Sequence, residues 1–319
     1  MENEVQEDVE DANNVEAKKQ TLFNSASPMK VIKVCKLLDR KQRKKIMKVG
    51  FGSFLDIKCS KLFPELCKYL MDHFDPDTSA LEFPEDERGI IPIIVDTVFE
   101  VLGIPKGALP VIYQYDSVSV KYVLDLLQVE DGRQPKISDI ETRLTEMGTA
   151  EDPFLLLWML YVVCFLAPTT GVRVSPNCYP SLVNVSQINK LDWCRFTINI
   201  LIQTAKAKNK NCFKACMPLL MLKYVDSLVT KGIHVEAEGP RICVWTNQMV
   251  KAAIAQDTNR DGTFGILPIV WSVFLVVAKS ARTITTLDKG VKCPFVQNLK
   301  LYISMCNDCT KGLPGVQNL

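Results

Sequence analysis

From Met29 onward, apolar residues recur at helical spacing. Wound at about 100° per residue, Val31, Cys35, Leu38, Ile46 and Val49 share one face, and Lys33, Lys36, Arg40, Arg43 and Lys44 lie opposite. Gln42 is the polar exception on the apolar side. The pattern predicts one helix from Met29 to Val49, ended by Gly50 and Gly52. A second helix is expected over 61–73, stopping before Asp75–Pro76–Asp77. Leu81–Phe83 and Ile90–Ile94 flank a charged turn and read as a short hairpin, with Pro92 confining its strand to a sheet edge.

Val95, Val98, Phe99 and Leu102 then follow i, i+3, i+4, i+7 spacing, with Gly103 and Pro105 as stop signals. Helices are expected at 117–129 and at 138–147, the latter with Ser138 as N-cap and Glu141 completing a capping box. Pro153 suits the first turn of a helix that is apolar all round and ends before Pro168; such a helix belongs in the centre of a protein. A Pro/Asn/Ser-rich loop is expected over 175–188, followed by helices at 190–206, 212–230, 243–256 and 266–281.

These elements add up to a mainly α, multi-helix globular domain with one short β-hairpin near residues 81–94. Residues 1–28 lack apolar periodicity and read as a disordered acidic tail. Residues 29–283 form the helical domain, with any subdivision falling near 148–152, and 284–319 are a weakly structured C-terminal segment. The runs Phe154–Ala167 and Phe264–Ala278 fall short of the ~20 apolar residues a bilayer span needs, so they are read as core and no membrane association is expected.

Charge changes the picture more than composition does. The net charge of +2 conceals an asymmetry. Residues 1–28 carry seven acids against two lysines, whereas residues 29–48 carry nine Lys/Arg against Asp39 alone. A basic block beside an acidic tail points to nucleic acid, a membrane surface or receptor-read targeting. Its densest part, Arg40, Lys41, Arg43, Lys44 and Lys45, is the candidate site, either as a nuclear localisation signal or as a phosphate-contacting helix. A solvated helix face is the plainer reading of the same residues. A second cluster, Lys206, Lys208, Lys210 and Lys214, borders a helix–helix loop.

Candidate chemistry is sparse. Two histidines, His73 and His234, leave little room for histidine-based catalysis or metal sites. The twelve cysteines follow an acidic N-terminus with no secretory signal, so they are expected to be reduced and mostly buried. Asp257–Gly262 matches the first half of a calcium loop, but Pro268 stands where the bidentate Glu belongs, and the stretch is read as a polar turn. Cys306 and Cys309 form a lone C-x-x-C without the partners of a zinc or redox site. The near-repeat of Pro294–Leu299 in Pro314–Leu319 has no physical account. No phosphate loop, nucleophile elbow, zinc-protease motif or dinucleotide fingerprint is present.

Several stretches together resemble the plant mobile domain, a transposon-linked family often labelled "aminotransferase-like". They are KKIMKVGFGSF at Lys44–Phe54, LFPELCKYLMDHFDPDTSALEF, IIVDTVFEVLGIP at Ile93–Pro105, LDWCRFTINILIQTAKA and CFKACMPLLMLKYVDSL. The V-x-x-V-L-G-I-P element is the most specific of them. The resemblance covers residues 29–280 and implies a compact helical domain of transposon-derived, nuclear character, linked in relatives to gene silencing.

Larger relatives carry a C-terminal cysteine protease domain acting on ubiquitin-like proteins. Here Asp308–Cys309 is followed by Thr310 instead of glycine, and no suitable histidine follows the helical domain. Neither protease chemistry nor pyridoxal-phosphate chemistry is carried over, and no catalytic residue, metal or cofactor is expected. The expectation is a non-enzymatic nuclear protein, with cytoplasm as the other location, that binds nucleic acid or nuclear proteins and has no small-molecule substrate. The other reading is a protein–protein scaffold left from a larger protease-bearing transposon protein.

Overall fold

The computed structural model describes residues 27–83, 88–129, 132–169, 171–207 and 213–269. The tail ahead of Ser27, the apolar stretch after Ile269, Lys208, Lys210 and the Cys306/Cys309 pair lie outside the described residues.

The expected first helix is two helices. α1 (Pro28–Leu37) and α2 (Arg40–Lys48) meet at an extended Leu38–Asp39 joint. The break follows from a capping box: the Asp39 carboxylate accepts from Gln42 N–H at 2.8 Å, and the Gln42 side chain accepts from Asp39 N–H at 2.9 Å. Gln42 is buried because its amide also donates to the carbonyls of Met147 and Thr149, at 2.6 and 3.2 Å. The polar exception in the stripe is thus an N-terminal device that also ties α2 to a distant loop.

A 3-10 turn (Gly52–Asp56) lies against both helices, and α3 (Pro64–Asp72) follows, started by its proline. The expected hairpin is part of a three-stranded antiparallel sheet in the order β1 (Phe74–Asp75), β2 (Ala80–Phe83), β3 (Gly89–Pro92). β3 is an edge strand, as Pro92 requires, and two-residue β1 is too short to leave a periodic signal.

α4 (Val95–Leu102) ends at Gly103 in the left-handed conformation, φ +63°. Its buried face is Thr97, Val98, Val101 and Leu102. Phe99, expected inward, is exposed beneath the Lys106 ammonium, 4.5 Å from the ring centroid. The V-x-x-V-L-G-I-P element is a packing joint. A Cβ on Gly103 would fall 2.5 Å from Pro240, and one on Gly107 would fall 2.1 Å from the Lys190 carbonyl. Gly107 and Leu109 donate to Leu191 and Lys190, so this loop is sewn to the chain just ahead of Trp193.

α5 (Ser117–Leu126) is capped by Asp116, and α6 (Ile137–Glu146) begins earlier than the Ser138 cap would place it. Asp139 closes the α6 turn by accepting from Lys136 N–H, and Glu141 instead accepts from the Tyr161 hydroxyl. α7 (Asp152–Leu166) buries every residue from Phe154 to Leu166 and packs on α2, α6 and α8 (Tyr179–Leu182). The expected 175–188 loop contains α8, a 3-10 turn before it (Pro176–Cys178) and another after it (Val185–Lys190).

α9 (Trp193–Lys206), capped by Asp192, packs on α4. α10 (Met217–Ser227) is the second buried spine, set against α3, α4, α11 (Arg241–Val244) and α12 (Asn247–Asp257). One apolar core runs from Val31 to Ile269, with partly buried Met147 packed against it. Most core side chains bury on the order of 2 kcal/mol of transfer free energy each.

Candidate nucleic-acid interface

The amphipathic winding of α1 and α2 sorts their cations by position. Val31, Val34, Cys35 and Leu38 face the core from α1 and its cap, and Gln42, Ile46 and Val49 do so from α2 and its cap. Lys30, Lys33 and Lys36 project from the far side of α1. Arg40, Lys41, Lys44 and Lys48 project from the far side of α2.

The two cations flanking the buried stripe have structural partners. Arg43 donates to the Cys35 carbonyl at 3.0 Å, closing the C-terminal turn of α1, and lies 3.9 Å from Asp56. Lys45 pairs with Asp152 at 2.9 Å, which fixes α2 to the N-terminus of α7. Of the five candidate residues, Arg40, Lys41 and Lys44 are therefore exposed with no ion pair among the described residues, and Arg43 and Lys45 hold the helices in place. Lys48 and the three α1 lysines, outside the original five, extend the exposed stripe.

In the second lysine cluster, Lys206 pairs with Asp77 at 3.0 Å and Lys214 is exposed. Asp77 borders an open groove of about 470 Å³ whose carboxylates are Asp72, Asp75, Asp77 and Glu82. Asp75 accepts from the backbone of Asp77 and Thr78, and Glu82 accepts from the Thr78 hydroxyl. The groove has the wrong sign for a polyanion, and its acids brace their own turn. His73 on its wall stacks on Phe83 and contacts the Tyr69 carbonyl through Nδ1 at 2.8 Å, while His234 is exposed in a loop.

A buried polar cluster was not anticipated. Arg88 reaches into the core from the end of the β2–β3 turn. It donates to the Tyr224 hydroxyl at 3.0 Å and to the Tyr69 hydroxyl at 2.5 Å, and its guanidinium lies 4.6 Å from the Phe83 ring centroid. Tyr224 donates to Asp257 at 2.5 Å; Arg88 and Asp257 are 3.9 Å apart, and Asp257 also accepts from Leu267 N–H. Burial raises the Asp257 carboxyl above its usual range, against the lowering by Tyr224 and Arg88. Burial works against the Arg88 charge, but Tyr224, Tyr69 and Asp257 outweigh it and hold the group fully protonated.

The geometry of this cluster is that of a clasp between the residue ahead of β3 and the end of α12. Asp257 is the first residue of the calcium-like stretch, and its carboxylate points inward to Arg88, while Asp261 accepts from Thr263 within the turn. The signal that could have found it is a carboxylate at i+4 and i+7 from buried Ala253 and Val250, the same signature as Gln42.

The described cysteines are free, and burial raises every one of their thiols above its ordinary value, to about 12 for Cys35, Cys67, Cys164, Cys194 and Cys216. Among the described residues, no group of three or more His, Cys, Asp or Glu is placed to hold a metal ion, and no helix is long and apolar enough to cross a membrane.

A family model described as a domain of unknown function, DUF8566, matches residues 24–221. No curated protein and no solved structure matches the chain.

Proposed function

We propose that this chain, which belongs to the family described as a domain of unknown function (DUF8566), is a non-enzymatic binding module whose outward α1–α2 face engages the phosphate backbone of nucleic acid. The observation that carries the reading is the sorting of cations on consecutive helices. Those beside the core are paired with acids, and among the described residues those facing outward are not. A row of exposed positive charge along two consecutive helices releases counterions on meeting a polyanion. Raised thiol pKa values on the described cysteines weigh against a cysteine nucleophile. Nuclear localisation and transposon-derived character belong to this proposal through the plant mobile domain resemblance alone.

The test is duplex DNA and RNA binding across a salt series, for the wild-type chain and for a variant carrying Arg40→Gln, Lys41→Gln, Lys44→Gln and Lys48→Gln. The expected result is steep salt dependence in the wild type, with a slope reduced by about one unit for each phosphate contact removed. Absence of binding by the wild type at low salt defeats the reading. In that case the scaffold alternative has its own surface: Leu109, Ile112, Tyr115, Val118 and Tyr122 are exposed apolar or aromatic residues along one loop and the outer face of α5.

A further inference from the structure

We propose that the exposed apolar face formed by α5 and the loop ahead of it is the contact for a second copy of this chain, joined about a two-fold axis that reverses one α5 on the other. α5 is dressed the opposite way from a solvated helix. It buries Ser119 beside Val120 and Val123, and it turns Val118 and Tyr122 to water, 75% and 50% exposed and one helical turn apart. Tyr115, just ahead of the Asp116 cap, is 64% exposed. The loop before it alternates in the same sense: Val111 and Tyr113 pack against the core, and Ile112 between them faces out. Loop and helix share one support. Ile112 N–H donates to the Ser181 hydroxyl of α8 at 2.6 Å, and α5 packs on α8 as well. The Tyr113 ring lies 5.3 Å from that of Phe196, and Leu109 N–H donates to the Lys190 carbonyl at 3.0 Å.

Size and charge both suit this face to its own copy. Leu109 and Ile112 are each 45% exposed. A large apolar residue fully bared offers about 150–250 Å², so with Tyr115, Val118 and Tyr122 the face leaves on the order of 550 Å² open. That is near the top of the roughly 300–600 Å² found for the largest apolar patch of a monomer. Two such faces together remove about 1,100 Å² from water, past the roughly 1,000 Å² a specific interface needs. Lys121 and Asp125 are exposed on the same side of α5, one turn apart, with no ion pair among the described residues. Reversing α5 on its mate sets Lys121 of each copy beside Asp125 of the other, with both copies of Tyr122 near the axis. The pair leaves the helix face without net charge, so two copies meet without like-charge repulsion, whereas a polyanion finds no excess of cations here.

Sedimentation velocity of the full chain over a concentration series, with no nucleic acid present, tests the contact apart from the basic-face reading. The expected result is a reversible monomer–dimer equilibrium with a dissociation constant on the order of micromolar. Val118→Asp and Tyr122→Asp are each expected to raise that constant by about tenfold or more, with unchanged urea midpoints for the monomer because both side chains are exposed. Lys121→Asp is expected to weaken the dimer, and Lys121→Asp with Asp125→Lys to restore it. Val172→Asp, at an exposed apolar residue on another loop, is expected to leave it unchanged. A wild-type chain that stays monomeric at about 100 µM overturns the proposal. So does a dimer indifferent to Val118→Asp and Tyr122→Asp, or one that Val172→Asp disrupts equally. A charge swap that fails to restore the dimer overturns the two-fold pairing of α5.

Discussion

Arg88 and Asp257 are a guanidinium and a carboxylate taken almost wholly out of water, 3.9 Å apart and joined through Tyr224. Removing Arg88 leaves the Asp257 carboxylate in the core without the guanidinium, and removing Asp257 takes a buried carboxylate away from the guanidinium. Asp257→Ala or Arg88→Met is therefore expected to destabilise the chain by about 3–5 kcal/mol, and the double change Arg88→Met with Asp257→Leu to recover most of the loss. Urea midpoints of the three variants check this. Single changes that each lose less than about 1 kcal/mol would show that water reaches the pair. Neither residue stands out in the sequence: Arg88 sits in a charged turn, where exposure is the default, and Asp257 opens a run that reads as a polar turn. Only the register of Asp257 on α12, in line with Val250 and Ala253, marks it as inward. Pairings between residues so far apart in sequence leave no local trace.

Helices were the legible part, because a 3.6-residue period survives in the sequence wherever one face is buried. α3, α4, α5, α7 and α9 lie where periodicity and stop signals place them. Boundaries were less legible where one residue type serves two roles. Gln42 is a single polar position in the apolar stripe and Asp39 lies off it, so periodicity runs straight through the break that their side chains make. Around 175–190, Pro, Asn and Ser mark turns, and the turns prove to be 3-10 and short α segments. The Asp39 box carries a prediction. Asp39→Ala is expected to lose about 1 kcal/mol of stability and Asp39→Ser to restore most of it, read from urea midpoints. Equal midpoints for all three proteins would mean that the α1–α2 joint is held by the Gln42 contacts to Met147 and Thr149 instead.

At the scale of the whole molecule, the core is seeded with thiols. Burial lifts Cys67, Cys164 and Cys216 to about 12, against 9.0 for an ordinary thiol. Between those values the folded chain keeps protons that the unfolded chain sheds, so the stability these groups contribute is complete below pH 9 and falls as pH rises toward 12. By pH 10 the loss is about 1 kcal/mol for each thiol. Urea midpoints at pH 8 and pH 10 measure it, and an unchanged midpoint would show that these thiols ionise alike in both states. The outward basic face, by contrast, was legible as composition but not as function: a charge run has the same appearance whether it meets phosphate, a protein or water.

The family match stops at residue 221, within α10, whereas the Tyr224 hydroxyl that Arg88 donates to and the Asp257 carboxylate beside it lie further along the chain. Shared ancestry and physical closure therefore have different borders in this chain. A fragment cut at that border would keep Arg88 and Tyr69 and lose Tyr224 and Asp257, so the matched segment by itself does not carry the whole clasp.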